Sequence, residues 1–224
     1  MTTCVITGGD MGVCAGVIFL CKQLGVHCAF FLPHDDERGD ETKLQVGFPP
    51  ILGHPHLVIP GKYPVTDGVM LEGDKLKHSR VVCMNEHHDE TITTTCRALC
   101  PDYDQFSPSL RYLLRRDVDM VVQSDAVYLI GDLIRPSHSS NEQMGGPGWI
   151  QHVTILKHKP LYFFDLSTNT WLTFDYTRLQ FRPHFGALPS LRNHHCLIAG
   201  TRRLTRNEPV FFDILPDLLL TARA

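Results

Sequence analysis

The fold is decided by the opening of the chain, residues 2–32, which read TTCVITGGDMGVCAGVIFLCKQLGVHCAFFL. The β-branched run at residues 2–7 predicts a strand that stops at a glycine pair, and the apolar segment 12–24 is long enough for about three helical turns. Gly25 stands where a helix commonly ends, and residues 26–32 predict a second apolar strand. A strand, helix and strand with such short connections favour parallel pairing through a right-handed crossover.

The same pattern returns in the second half of the chain. Ser107 can cap a helix that starts at Pro108 and runs to about Gln123, and the apolar run Ala126–Ile130 is typical of a strand buried on both faces. A further helix is expected at Gly148–His158, and further strands at Pro160–Asp165 and His195–Ala199. This order of elements predicts a Rossmann-like α/β fold with a doubly wound, mostly parallel sheet and long loop insertions.

The middle of the chain lacks this regularity. From Pro33 to about Lys77 the pattern dissolves, and Gly47–Val65 holds five prolines and three glycines in 19 residues, which disfavours long regular elements. Val81–Met84 predicts a short strand. The polar, threonine-rich Asn85–Thr95 predicts a solvated loop.

Composition excludes several classes of protein. Apolar residues make up 43% of the 224 positions and charged residues 20%, which is typical of a globular chain. With 21 Lys and Arg against 24 Asp and Glu, the net charge of −3 gives no basic field for an extended nucleic acid, so any anion must be bound locally. No apolar run approaches the roughly 18 residues of a membrane span, so we expect no membrane partner.

Cysteine and histidine usage bears on compartment and metals. Eight cysteines are too sparse for a disulfide scaffold, so we expect reduced thiols and a cytoplasmic protein, with the nucleus as the alternative. The apolar stretch Met11–Leu20 lacks a preceding basic residue, which argues against a signal peptide. The 13 histidines form no H-E-x-x-H helix and no C-x-x-C pair occurs, so we expect no metal site.

The first candidate binding segment follows the first predicted strand. In doubly wound sheets, ligands bind beyond the carboxyl ends of the strands. Gly8, Gly9 and Gly12 lie there, where backbone N–H groups and the positive end of a helix can approach a phosphate. A tight turn also needs glycine without any ligand, so both interpretations stay open. Asp10 can cap the helix or accept a hydrogen bond from a ribose hydroxyl.

A second glycine-rich segment precedes another predicted helix. Gly145, Gly146 and Gly148 can form an anion cradle that faces the first across the sheet edge, and the alternative is a flexible loop tip. Trp149 beside them can stack on a base or pack into the core. The guanidinium groups of Arg116 and Arg202 can bring paired N–H donors to a phosphate, although a solvated surface arginine is the commoner case.

Several of these stretches occur in the order seen in the molybdenum-carrier proteins, a family within the SLOG superfamily of LOG-type phosphoribohydrolases and DprA-like Rossmannoid proteins. They are Ile6–Val13, Leu24–Val26, Arg116–Ala126, Gly146–Gly148 with Lys159-Pro160, and Ile198–Arg202. The chain resembles this family distantly over most of its length. The resemblance implies a single Rossmannoid domain over residues 1–224, with insertions near 39–107 and 168–192.

What the resemblance implies for function is a nucleotide or nucleotide-like phosphorylated ligand. The residues carried over are Gly8, Gly9, Gly12, Gly146, Gly148 and Arg202. Relatives in this superfamily often pair through helices, which implies a homodimer. The phosphoribohydrolases carry a Gly-Gly-x-Gly-Thr-x-x-Glu loop, whereas residues 145–152 here read GGPGWIQH, with Trp149 for threonine and His152 for glutamate.

Three functional hypotheses follow. The leading one is a binding protein that captures a nucleotide or related phosphorylated small molecule, and no further cofactor is assigned. The alternative is a hydrolase of an N-glycosidic or phosphoester bond, in which Glu142, His152 or Asp10 moves a proton and Arg116 holds the phosphate. The third is an interaction module that binds no small ligand and docks partners through its proline-rich segment.

Overall fold

A computed structural model describes residues 3–8, 12–32, 69–70, 79–83, 89–133, 146–188, 190–201 and 209–222. Within these ranges the chain forms five α-helices and nine β-strands. The helices are α1 (Val13–Leu24), α2 (Asp89–Leu99), α3 (Pro108–Gln123), α4 (Gly146–Leu156) and α5 (Pro209–Leu220). The strands are β1 (Cys4–Gly8), β2 (Cys28–Leu32), β3 (Val69–Met70), β4 (Ser79–Cys83), β5 (Ala126–Gly131), β6 (Leu161–Asp165), β7 (Thr170–Asp175), β8 (Gln180–Pro183) and β9 (His195–Gly200).

The strands form one sheet in the order β3-β4-β2-β1-β9-β5-β6-β7-β8. Its six central strands, from β4 to β6, run parallel. Antiparallel partners close both edges, β3 against β4 and the hairpin β7–β8 against β6. Val5 lies beside both Cys28 and Cys196 in the register of β1. The predictions of a parallel opening unit and of a Rossmann-like, mostly parallel sheet are therefore confirmed.

The central strand β5 is buried on both faces, as its apolar run predicts. Tyr128 and Ile130 point into one core, whereas Val127 and Leu129 point into the other. All four side chains are at most 1% exposed, and burying each large aliphatic side chain contributes about 1.5–3 kcal/mol. Residues of α1 and α5 cover the first core, while residues of α2, α3 and α4 cover the second.

The chain winds in opposite directions from the middle of the sheet. Strand β1 leads through α1 to β2 on one side, and β5 leads through α4 to β6 on the other. The two helices lie on opposite faces, and β9 fills the place between β1 and β5. Such a reversal leaves a crevice beyond the carboxyl ends of the strands, which is where ligands bind in open α/β sheets.

Local helix signals act as the sequence predicts. Gly25 follows α1 with φ of 65°, a left-handed conformation that glycine adopts without strain. The Ser107 hydroxyl accepts a hydrogen bond from the Leu110 amide at 3.4 Å, and Pro108 is the first residue of α3. These signals fix the ends of two helices that cover opposite faces of the sheet.

The solvated loop expected at Asn85–Thr95 is wrong for residues 89–95, which belong to α2. Ile92, Thr95 and Cys96 are buried on one face of this helix. Threonine lowers helix propensity only slightly, and packing of an apolar face outweighs that cost. The Thr95 hydroxyl donates to the carbonyl of Thr91 at 2.8 Å and so stays satisfied when buried.

The segment near 168–192, expected as an insertion, extends the sheet through the hairpin β7–β8. The amide of His184 donates inward to the carbonyl of Trp171 at 2.8 Å. Its neighbour Pro183 consequently faces the open edge and presents no N–H there, which discourages pairing with another strand. Helix α4 begins at Gly146, two residues earlier than expected, and α5 has no counterpart among the predicted elements.

Candidate functional site

Three neighbouring strands at the winding reversal end in glycine. Gly8 ends β1, Gly200 ends β9 and Gly131 ends β5, and all three residues are buried. We refer to Gly8, Gly131 and Gly200 together as the glycine floor. On the far side of Gly131, β6 ends at Asp165. The last residue of each of these three adjacent strands therefore has no side chain, and helices start on both faces of this edge.

Gly200 is required by packing whatever the site binds. A Cβ atom at this position would lie 2.1 Å from the carbonyl oxygen of Ile130 and 2.7 Å from Cγ2 of Val13. At Gly131, in contrast, the nearest atom to an added Cβ is Cβ of Thr201 at 3.8 Å, an ordinary contact. In the glycine floor, Gly200 therefore allows β9, β5 and α1 to approach closely, whereas Gly131 has room for a small side chain.

The start of α1 is tied to the ends of two strands. Gly12 precedes the helix with φ of 81°, a conformation that favours glycine. The amide of Val13 donates to the carbonyl of Thr201 at 3.1 Å, and the amide of Thr201 donates to the carbonyl of Ile130 at 2.9 Å. The first turn of α1 is thus fixed above the floor, and the Val13 N–H is used for this purpose.

On the other side of the floor, a buried carboxylate holds the corner between β6 and β7. Oδ1 of Asp165, whose residue is 6% exposed, accepts hydrogen bonds from the amide of Ser167 at 3.1 Å and from its hydroxyl at 2.8 Å. Oδ2 accepts from the Thr168 hydroxyl at 3.0 Å. Burial alone raises the pKa of Asp165, but these hydrogen bonds outweigh it and hold the pKa below its ordinary value.

Trp149 belongs to the core. It is 1% exposed, and its indole N–H donates to the carbonyl of Leu114 at 3.1 Å, so the bond joins the first turns of α4 to the middle of α3. A ring this deeply buried has no free face for a base. Of the two interpretations of Trp149, stacking on a ligand is therefore wrong, and the ring packs α4 against α3.

Arg116 lies inside the protein on α3. The residue is 3% exposed, and its Nε and Nη2 atoms donate to Oδ1 of Asp117 at 3.0 and 2.7 Å. Asp117 is also 3% exposed. This arginine therefore serves a buried ion pair, and a ligand phosphate would have to compete with a carboxylate already in place.

The remaining predicted residues divide into two groups. Gly146 and Gly148 lie in the first turn of α4, at the carboxyl edge. His152 follows in its second turn with an exposed side chain; partial desolvation of the ring lowers its pKa and favours the neutral imidazole. The predictions for Gly9, Asp10, Glu142, Gly145 and Arg202 lie outside the described residues.

Sequence reasoning missed three polar residues at this edge. Asp132 is exposed immediately after β5, Asp165 is buried at the end of β6, and Thr201 follows β9. Their position in the sequence could have identified them, because each residue ends a predicted strand or follows one closely. Among the residues that the structure describes, no group of three or more His, Cys, Asp or Glu side chains is arranged to hold a metal ion.

Comparisons with known proteins give one likeness. No family model matches the chain, and no curated protein matches it. A solved structure that is similar is that of a putative molybdenum carrier protein from Syntrophus aciditrophicus SB, with 14% sequence identity, 100% of this chain and 96% of that chain covered, and a TM-score of 0.44. In the described parts of the chain, no helix has the length and apolar character needed to cross a membrane.

Proposed function

We propose that the protein binds a nucleotide or a related phosphorylated small molecule in the crevice at the carboxyl edge of its sheet. The glycine floor carries this proposal, because three adjacent strands end without side chains where the winding reverses. Helices α1 and α4 begin on opposite faces of this edge, and helix N-termini favour anionic groups. A compact phosphorylated ligand suits an edge at which two helices begin.

The proposed phosphate contact is Arg202. It comes directly after Thr201, whose backbone is bonded both to α1 and to β5. Arg116 already donates to the carboxylate of Asp117, so the proposal assigns the phosphate contact to Arg202 alone. A guanidinium group offers two parallel N–H donors to phosphate oxygens.

The first experiment identifies a ligand that copurifies with the protein. Mass spectrometry of the small molecules released by heat denaturation would reveal it, and thermal-shift measurements with AMP, GMP, CMP, UMP and inorganic phosphate follow. A ligand at 100 times its Kd stabilises by about 2.7 kcal/mol, which raises Tm by about 5–11 °C in a chain of this size. An empty protein that none of these compounds stabilises contradicts the proposal and favours the interaction module.

A matched pair of variants separates binding from folding. Arg202→Gln is expected to weaken nucleotide binding by about ten- to hundredfold while Tm of the unliganded protein stays unchanged. Arg178→Gln serves as the control, since Arg178 is exposed on the turn between β7 and β8, away from the carboxyl edge. Equal affinity of both variants would exclude Arg202 from the site.

Hydrolysis of the bound nucleotide is the second candidate, favoured by one observation. His152 lies on α4 with the neutral form of its ring favoured, as a general base requires. Chromatography of the monophosphate panel after incubation with the protein would reveal a released base or phosphate. His152→Ala and Glu142→Ala should each abolish such turnover, and turnover that survives both changes rejects these assignments.

The expected homodimer is tested separately, by measuring the molar mass of the protein in solution by light scattering.

A further inference from the structure

Asp132 stands out at the carboxyl edge because it is exposed on a segment that is otherwise held tightly. It is the first residue after β5, next to Gly131 of the glycine floor. The carbonyl of Gly131 accepts a hydrogen bond from the amide of Leu166 at 2.9 Å, and that of Ile130 accepts from the amide of Thr201 at 2.9 Å. The chain that presents Asp132 is therefore bonded to the neighbouring strands on both sides.

The side chain of Asp165 holds the backbone on the other side of Asp132, at Leu133. In a parallel ladder, the amide of Leu133 would next bond to the backbone of the β6 chain. The β6 chain turns away instead, and Oδ1 of Asp165 accepts from the Leu133 amide at 3.5 Å. The bonds made by Gly131 and Leu133 thus bracket Asp132 and hold the backbone on either side of it.

Strand alternation sets the face on which Asp132 lies. Ile130 packs in the core under α1 and α5, whereas Leu133 packs against the core under α3 and α4. Position 132 continues the alternation of Ile130 and falls on the α1 side. Strand β9 alone separates β5 from β1, so two interstrand spacings, about 10 Å in all, lie between Asp132 and the strand that leads to α1.

Building on the proposed function, we infer that Asp132 recognises a sugar hydroxyl of the ligand and that Asp165 positions it. A phosphate near the start of α1 and a carboxylate about two strands away suit the two ends of a ribose phosphate. A carboxylate accepts hydrogen bonds from a vicinal diol and repels a second phosphate. The ligand class is thereby narrowed to a ribonucleotide or another sugar phosphate with free hydroxyl groups.

The test compares one ribonucleoside monophosphate with its 2′,3′-dideoxy analogue by isothermal titration calorimetry, using AMP first. Wild type is expected to bind AMP about ten- to hundredfold more tightly than 2′,3′-dideoxy-AMP, the range for a hydrogen bond to a charged group. Asp132→Ala should remove this preference and leave the affinity for the dideoxy compound unchanged. Asp217→Ala, an exposed acid on α5, should leave both affinities unchanged.

Asp165→Asn tests the positioning role. The amide keeps the volume of the carboxylate but weakens the bonds to Ser167, Thr168 and Leu133. We expect a reduced preference for AMP over the dideoxy compound in the folded variant. The control is Asp175→Asn, because Asp175 accepts the amides of Thr177 and Arg178 in the corresponding turn at the other end of the hairpin. That variant should retain the full preference.

The outcomes separate this inference from the proposed function. If wild type binds AMP and its dideoxy analogue equally, or if Asp132→Ala weakens both to the same extent, hydroxyl recognition by Asp132 is refuted while nucleotide binding stands. If Asp165→Asn and Asp175→Asn behave alike, Asp165 has no positioning role. If no phosphorylated compound binds wild type, the proposed function fails and this inference fails with it.

Discussion

Replacing Gly200 by alanine tests the close approach of β9, β5 and α1 on which the floor depends. The new Cβ would lie 2.1 Å from the carbonyl oxygen of Ile130 and 2.7 Å from Cγ2 of Val13. Relief of these contacts moves backbone by about 1 Å, and overpacking of this kind costs about 1–3 kcal/mol. The same carbonyl accepts the amide of Thr201 at 2.9 Å, and loss of that hydrogen bond adds about 1 kcal/mol.

We therefore expect Gly200→Ala to lower the free energy of unfolding by about 2–4 kcal/mol and Tm by about 4–16 °C. Urea denaturation followed by circular dichroism measures the first quantity, and differential scanning calorimetry the second. Because the clash involves a backbone carbonyl rather than the flexible end of a side chain, a rotamer change cannot relieve it.

Gly131→Ala is the matched control, since it adds the same methyl group to the neighbouring strand end. Its nearest neighbours would lie at 3.8 Å on Thr201 and 3.9 Å on Phe163, so we expect a change of less than about 1 kcal/mol. Equal losses in the two variants, or a loss of less than about 0.5 kcal/mol in Gly200→Ala, would refute the packing argument.

Three further predictions concern buried polar groups. Arg116→Ala removes the guanidinium group that pairs with the buried Asp117 carboxylate and should lower the free energy of unfolding, measured by chemical denaturation, by about 3–5 kcal/mol. A variant that loses ligand affinity but no stability would contradict the buried ion pair. Trp149→Phe removes the donor to the Leu114 carbonyl and should cost about 1–3 kcal/mol with ligand affinity unchanged, which calorimetry would check. The folded-state pKa of Asp165 is lowered, so its stabilisation is present above the unfolded pKa of about 4 and is lost as pH falls through the folded value. Asp165→Asn should therefore flatten the stability curve as pH falls below the unfolded pKa of about 4, and an unchanged curve would show that its hydrogen bonds contribute little.

The contrast between Arg116 and Gly131 shows what position in the sequence can and cannot indicate. The sequence analysis proposed Arg116 as a phosphate contact because phosphate sites use guanidinium groups, and it did not single out Gly131. The structure pairs Arg116 with its own neighbour and places Gly131 in the floor. An arginine in the sequence shows that a side chain able to bind an anion is present. Whether it binds a ligand or a carboxylate of the protein depends on its burial and its neighbours in the fold.

Helix α2 and the hairpin β7–β8 show a second kind of gap. Threonine-rich residues in α2 give a weak local signal, and the helix is stabilised by burial of Ile92 and Cys96 where α2 packs against α3 and α4. Strand β7 bears half-buried side chains on both faces and β8 is mostly exposed, so neither strand shows a clear period-2 pattern. In both elements, tertiary packing supplies the stability that local propensity does not.

Local sequence is enough to predict the opening strand, helix and strand, the start of α3 at Ser107-Pro108 and the doubly buried strand β5. These features depend on residues within a few positions of one another, where backbone preference, capping and hydrophobic period are encoded directly. The position of β9 between β1 and β5, which brings Gly8, Gly131 and Gly200 to one edge, is visible only in the folded sheet. Strand pairing over such separations is set by the packing of the whole sheet and both helical layers, and no local pattern specifies it.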